Sequence, residues 1–532
     1  MIINFLDTES IKKNRSELKN GLFDLLIFFG LDLESILISR ILSTFFQNKF
    51  ISYELCPVHS WEKFNNRCKK ISNQKLNFLQ IFLINFGGNI NLKKFLDKNN
   101  LTFINIFVFH PITVIHRKNV ISKQIFVFNN KSYWKCHLEN IITKSCLKSN
   151  LFRNLPTKTQ IFSNFLLRTK KEKLESFWFQ VISISNLHFS KKIDDETYSK
   201  EMKILEQILR KHFKKKNPKI LSNDSNFYKV EPSVEISSSL LRHWSIFESM
   251  TNTPRLFSYF CLWKKSGIKK ISKYFLKMGF SMKEANIYWN LLSFEKKKKF
   301  KNNFQNELNR FGIHNLKFNS FVKTYLFENS IEKFKNQKIS AQDCIYGLNS
   351  LFDFEINEYK KKKKKKKTKR FNNCFKALHA FKFINLGIKL SKKILQFSSR
   401  LSWLIILKKL YIPETYFCYS YLRNIQNSKI TYEMIKNLSF FLVSIFSSSE
   451  FKKKEIFILF IPFSTKTIIA GHIFDKNQEK RLKRLTNFKN IILEMGSNLG
   501  DDLFFFLEIE KYDEIKFLKQ LKIKKGISFD KF

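Results

Sequence analysis

The sequence predicts an α/β protein: an N-terminal domain on a mainly parallel sheet, an all-helical insert, and a smaller C-terminal α/β domain. Three observations carry this. Short apolar runs alternate with helical stretches up to about Asn129, helical spacing takes over from about Phe165 to Ser350, and paired strand-length runs return near Ile456. Strands alternating with helices are what a parallel sheet with crossover connections requires.

The first strand is LLIFF (Leu25–Phe29), followed by a helix over Glu34–Phe46. Ile51–Val58, Phe78–Phe86 and Phe103–Phe109 read as further strands, and Gln124–Asn129 as an edge strand. Asn91 is placed to cap a helix over NLKKFL. In the insert, Thr253-Pro254 reads as an N-cap followed by proline at the first helical position. Leu256, Phe260 and Trp263 then share a face at i, i+4, i+7. Gly267 and Gly279 read as stops, and Ser281 with Glu284 as a capping box opening a helix that runs to Gly312. The run of eight lysines, Lys360, Lys361, Lys362, Lys363, Lys364, Lys365, Lys366 and Lys367, is too densely charged to pack and predicts a solvated loop. Helical text then runs to about Ser449. IFILFIPF and Thr467–Phe474 read as paired strands, KRLKRL as a helix, Asp502–Glu510 as a strand and DEIKFLKQL as a closing helix.

Composition bounds the function. The 532 residues are 44% hydrophobic and 16% aromatic, with 61 phenylalanines, which supplies two or three real cores and excludes a disordered chain. The formal net charge of +52 predicts polyanionic partners, although the excess of Phe, Lys, Asn and Ile over Gly and Pro is also what an A+T-rich genome imposes. Eight scattered cysteines form no zinc-finger spacing and predict free thiols in a reducing compartment. Asp7 and Glu9 interrupt any signal peptide, and no apolar run is long enough to span a bilayer. The expectation is therefore a soluble intracellular protein without membrane attachment.

One stretch points to chemistry. The first strand ends in Asp32 and Glu34, and acid pairs at strand ends hold metals in phosphoester-cleaving enzymes. Two cations need further acids from neighbouring strand ends. After Phe78–Phe86 comes FGGN, and after Phe103–Phe109 comes HPITVIH with His110 and His116, neither of which supplies one. The expectation is a spent site with no cofactor, no catalytic residue and no small-molecule substrate.

The block Leu241–Ala285 resembles the cell division control protein 45 family of eukaryotic replication factors, whose H-W-S-[LI]-x-[DE]-S-[ML] signature is met by His243, Trp244, Ser245, Glu248 and Ser249. A helix ending in L-W, at Trp263, and a G-x-x-x-L/I-x-x-F-L-x-x-M-G run follow in order, and the similarity continues through Leu308–Phe321. CPVHSWEKF, FLQIFLINFGGNINLKKFL and Ser163–Asn186 resemble other family segments, and Ile456–Leu521 follows its last domain as pattern.

The resemblance implies a degenerate relative of the DHH phosphoesterases. Its domains would be a DHH-like domain (1–215), the helical insert (216–355), the lysine-rich loop (356–370) and a DHHA1-like domain (371–532). Asp32, Glu34 and His110 would be remnants of metal motifs, with FVFHPI replacing the family's D-T-H-R-P and its Asp becoming Val108 or a neighbour. The implied function is a non-catalytic scaffold of the replicative helicase with the MCM hexamer and the GINS complex, contacting single-stranded DNA without sequence specificity. The implied location is a nucleus, including the reduced nucleus of an endosymbiont. Two departures stand out: the family's long acidic insert is short near Leu138–Leu155, and family members are often acidic overall. The lysine run reads as an import signal, a DNA arm or a plain loop. Trp244, Phe247, Trp263 and Phe275 are expected in the core before any partner surface. The alternative is an active DHH-type single-strand nuclease using Asp32, Glu34 and His110 on Mn²⁺ or Mg²⁺. A third reading is a general nucleic-acid binder.

Overall fold

The structure, a computed structural model, describes residues 25–30, 32–58, 61–72, 80–87, 91–98, 105–109, 125–127, 170–190, 193–213, 227–313, 316–326, 337–353, 364–414, 417–422, 430–447, 456–463, 466–473, 504–511 and 513–523. The chain divides into two compact units, Met1–Ser233 with Asn319–Gln337, and Val234–Phe318 with Lys338–Phe532.

The first unit is built on β1 (Leu25–Phe29), β2 (Tyr53–Pro57), β3 (Gln80–Ile84), β4 (Asn105–Phe109) and β5 (Ile125–Val127), with crossover helices α1 (Leu33–Asn48), α2 (Trp61–Ser72) and α3 (Leu92–Lys98). All strand pairs are parallel, in the order β2-β1-β3-β4-β5, as the alternation predicts. β1 lies inside, paired Leu25 to Tyr53 on one side and Leu25 to Gln80 on the other. A parallel sheet covered on both faces needs strands apolar on both faces, and all of LLIFF is buried. α1 buries Ile36, Leu37, Ile41, Leu42 and Phe46, each contributing roughly 1.5–3 kcal/mol on leaving water. Asn91 caps α3 as expected, its Oδ1 accepting from Lys94 N–H at 3.2 Å. A helical pair follows, α4 (Lys170–Phe189) and α5 (Asp195–Phe213).

The stretch read as wholly helical also contains strands: β6 (Phe227–Ile236), β7 (Lys317–Leu326) and β8 (Gln337–Ser340) form a three-stranded sheet in that order. Between β6 and β7 lie α6 (Ile246–Thr251), α7 (Pro254–Phe260), α8 (Lys265–Lys277), α9 (Met282–Ala285) and α10 (Phe294–Arg310). Pro254 opens α7 after Thr253, but the Thr253 hydroxyl donates to the Ser249 carbonyl instead of capping. α7 ends at Cys261, which adopts the left-handed region at φ 54°. Gly267 is not a stop: it lies inside α8, where a Cβ would come within 2.2 Å of the Cys261 carbonyl oxygen. Gly279 and Gly312 do end helices, at φ 74° and 78°. The Ser281–Glu284 capping box forms, yet its helix stops at Ala285 and a new one begins at α10. The reason is a second N-cap, Ser293, whose hydroxyl accepts from Lys296 N–H, with the 3₁₀ turn Trp289–Leu291 between.

The rest of the second unit has α11 (Ala341–Phe352), α12 (Lys364–Ala377), α13 (Phe381–Leu407), β9 (Ile412–Pro413), β10 (Phe417–Tyr421), α14 (Tyr432–Phe446), β11 (Ile456–Pro462), β12 (Lys466–Ile473), β13 (Phe504–Glu510) and α15 (Asp513–Ile523). The order is β13-β12-β11-β10-β9, with β10 and β11 parallel and the other pairs antiparallel. The predicted hairpin, third strand and closing helix are present. The region read as helical up to Ser449 conceals β9 and β10. Lys364–Lys367 belong to α12, not to a loop: lysine is a good helix former, and Phe371, Cys374 and Ala377 anchor that helix from below. Lys360–Lys363 and KRLKRL lie outside the described residues.

Candidate functional site

The acid pair sits where β1 gives way to α1, at the carboxyl end of the sheet. The geometry follows from capping. Asp32, at φ −114° and ψ 156°, is the N-cap of α1. Its Oδ2 accepts from Ser35 N–H at 3.1 Å, and the Ser35 hydroxyl donates to Oδ1. A second donor arrives from the end of β3: Asn85 Nδ2 lies 2.9 Å from Asp32 Oδ2 and 3.4 Å from Glu34 Oε2. Asn85 takes the left-handed conformation, φ 50°, which asparagine tolerates better than most residues. A neutral amide thus stands between the two carboxylates, where a metal site would place a cation, and both Asp32 oxygens already accept hydrogen bonds.

Val108 belongs to a hydrophobic core cluster of the sheet and Phe107 is also buried, so these β4 positions offer no side-chain oxygen. His110 and His116 lie outside the described residues. Among the described residues no group of three His, Cys, Asp or Glu side chains is placed to hold a metal ion. The donor set among the described residues therefore does not fit a cation pair. Nor do the nearby thiols offer a nucleophile, since burial pushes Cys56 and Cys68 up to about 12.

The signature residues assemble a different kind of site, in the second unit. Ser245 and Glu248 form a capping box on α6: Glu248 N–H donates to Ser245 Oγ at 3.1 Å. The Ser249 hydroxyl donates to the Ser239 carbonyl at 2.7 Å. Trp244 is buried, its carbonyl accepts from Trp289 N–H at 2.9 Å, and Lys392 of α13 reaches the His243 carbonyl with its ammonium 5.8 Å from the Trp244 ring. Trp263 and Phe275 are buried as expected and Phe247 partly so. The aromatic signature is core.

Beside it lies a charged cluster of which the sequence analysis names only His243. Arg242 forks onto Glu235 through both terminal nitrogens and approaches Asp343 at 3.8 Å, and His243 Nε2 stands 3.6 Å from the same carboxylate. Burial raises the Asp343 carboxyl, but His243, Arg242 and the Ser340 N–H outweigh it and hold it at about 2. Asp343 is also the third residue of α11, closing a capping box with Ser340. The available clue was the S-x-x-D spacing of Ser340 and Asp343.

The family model described as CDC45 matches residues 25–150 and 152–524. A Dictyostelium discoideum protein named cell division control protein 45 homolog is 23% identical over 223 residues, 37% of this chain and 33% of that protein. Its human namesake is 18% identical over 377 residues, 62% and 65% of the two chains, so the matches span about a third and just under two-thirds of these relatives. The crystal structure of CDC45 from Entamoeba histolytica overlays with a TM-score of 0.67 at 17% identity, covering 97% of this chain and 98% of that one, which shows a shared fold.

Proposed function

The chain belongs to the CDC45 family, and from that premise we propose that it is a DNA-replication factor acting as a non-catalytic scaffold of the replicative helicase. Its partners on this reading are the MCM hexamer and GINS, in initiation and fork progression within a nucleus. The observation that supports it most is the engagement of Asp32: a carboxylate that caps a helix and accepts the Asn85 amide already takes three hydrogen bonds from the protein itself. On this reading the chain works through its surfaces rather than through a metal pair. The charge of +52 supports contact with single-stranded DNA through phosphates, without base readout.

The alternative, an active DHH-type nuclease, makes an opposite prediction. The full chain incubated with single-stranded DNA and Mn²⁺ should leave the strand intact, and it should co-purify with MCM and GINS subunits at moderate salt. Metal-dependent cleavage abolished by Asp32→Ala would overturn the scaffold reading. Tight, steeply salt-dependent DNA binding with no stable protein partner would favour the general nucleic-acid binder.

A further inference from the structure

We propose that the outer face of α13 is a docking seam for an acidic amphipathic helix of a partner protein. A helix that covers a domain normally turns a mixed-charge polar face to water. α13 does not. Its 27 residues contain no aspartate or glutamate, and its exposed face interleaves apolar and cationic side chains.

The order on that face is a heptad. Phe383, Leu390, Phe397 and Leu404 recur every seven residues, and Leu386, Lys393, Arg400 and Leu407 stand three residues after each. These are the a and d positions of a coiled coil, sustained over four heptads and about 40 Å of helix. None of the eight is buried, and Leu407 is 57% exposed. The opposite face holds the helix in place: Ile384, Ile388, Leu395 and Ile405 are buried, and Gly387 lies so close to α11 that a Cβ would meet the Gly347 carbonyl oxygen at 2.3 Å. The seam is therefore presented on a rigid element, with its own core satisfied from behind.

Charge selects the occupant. Lys393 and Arg400 occupy the middle d positions, and Lys389 and Lys408 flank the seam, all exposed and in no ion pair among the described residues. A second copy of this chain would set like charges against each other, which specific helix pairing avoids. Single-stranded nucleic acid stacks on aromatic rings, and the exposed apolar side chains of the seam are Leu386, Leu390, Leu404 and Leu407, with Phe383 and Phe397 half-buried and the exposed Trp403 beside it. What fits is a helix with leucine-type residues along one edge and carboxylates opposite Lys393 and Arg400.

The inference rests on the scaffold reading for there being a partner at all, and its test measures binding alone, so a positive nuclease assay and a failed titration would each speak to one claim only. The full chain is titrated with a labelled synthetic peptide of four heptads, leucine at a and d and glutamate at e and g, and with a scrambled isomer of equal charge. The ordered peptide should bind roughly tenfold tighter than the scrambled one. The triple change Lys389→Glu, Lys393→Glu, Arg400→Glu should remove that preference. So should Leu390→Gln, Leu404→Gln, Leu407→Gln, which alters no charge. The control Lys269→Glu, Lys270→Glu, Lys273→Glu on α8 makes the same charge change and should leave the preference intact. All these positions are exposed, so thermal melting should not move. Equal binding of both peptides, or equal loss in the α8 control, would overturn the proposal. Loss of oligo-dT or anionic-vesicle binding in the α13 charge variant, with the peptide preference kept, would assign the face to nucleic acid or membrane instead, and concentration-dependent dimerisation abolished by the leucine variant would assign it to a second copy.

Discussion

Asp32 in the first unit and Asp343 in the second each secure a helix start, under opposite conditions. Asp32 is half-buried and its partners are neutral: a hydroxyl, a backbone N–H and an amide. Asp343 is buried and its partners include a guanidinium and an imidazole. The first rests on hydrogen bonds that water could largely replace; the second sits in a low-dielectric cluster where every charge depends on its neighbours. Carboxylates can thus persist for architecture alone, and which one matters more for stability is decided by burial, not by any likeness to a catalytic motif.

The comparison breaks most visibly at Asp343. Asp343→Ala leaves Arg242 and His243 facing a buried void, and a loss of about 3–5 kcal/mol is expected in urea denaturation. If the loss is no larger than that of Asp32→Ala, the contrast fails. Acid should act in the same place. The Asp343 carboxyl is lowered from its ordinary 3.8 to about 2, so its contribution is complete above about pH 4 and disappears as pH falls through 2. That contribution is about 2 kcal/mol, and an acid titration of Asp343→Asn should show the wild-type slope between pH 4 and 2 flattened.

Asn85→Asp sharpens the contrast from the other side. A third carboxylate against Asp32 and Glu34 should cost about 1–2 kcal/mol in the presence of EDTA. Added Mn²⁺ should restore the melting temperature, because the amide's place would then need a cation. A variant indifferent to both reagents would show that Asn85 is not standing in for positive charge. Asp32→Ala is the smallest change. It removes an N-cap and should cost about 1 kcal/mol, with Asp32→Ser recovering most of it by thermal melting.

Much of the fold was legible because burial imposes period. LLIFF, the β11–β12 pair and the first-unit alternation were readable as strands, since a strand covered on both faces shows its apolar run directly. β10 escaped because FCYSY sits between two long helical patterns and mixes polar and aromatic residues. The single helix expected from Ser281 to Gly312 became two because Ser293 competes as a cap. Gly267 was misread because a glycine can end a helix or admit a neighbouring backbone, and only the neighbour distinguishes them. At the acid pair, a neutral asparagine after a strand carries no ligand signal in the sequence, although the Asn85 amide donates to both Asp32 and Glu34.

By its sequence alone the protein was bound to be a basic α/β chain with a family signature in its middle and an acid pair short of further ligands, because composition and period are local properties. Only tertiary structure could decide that Asn85 meets Asp32 across 53 positions, or that Asp343 comes to lie beside Arg242 and His243. Those pairings lie far apart along the chain, and a hydrogen bond or ion pair is set by distance in space, which no local pattern encodes.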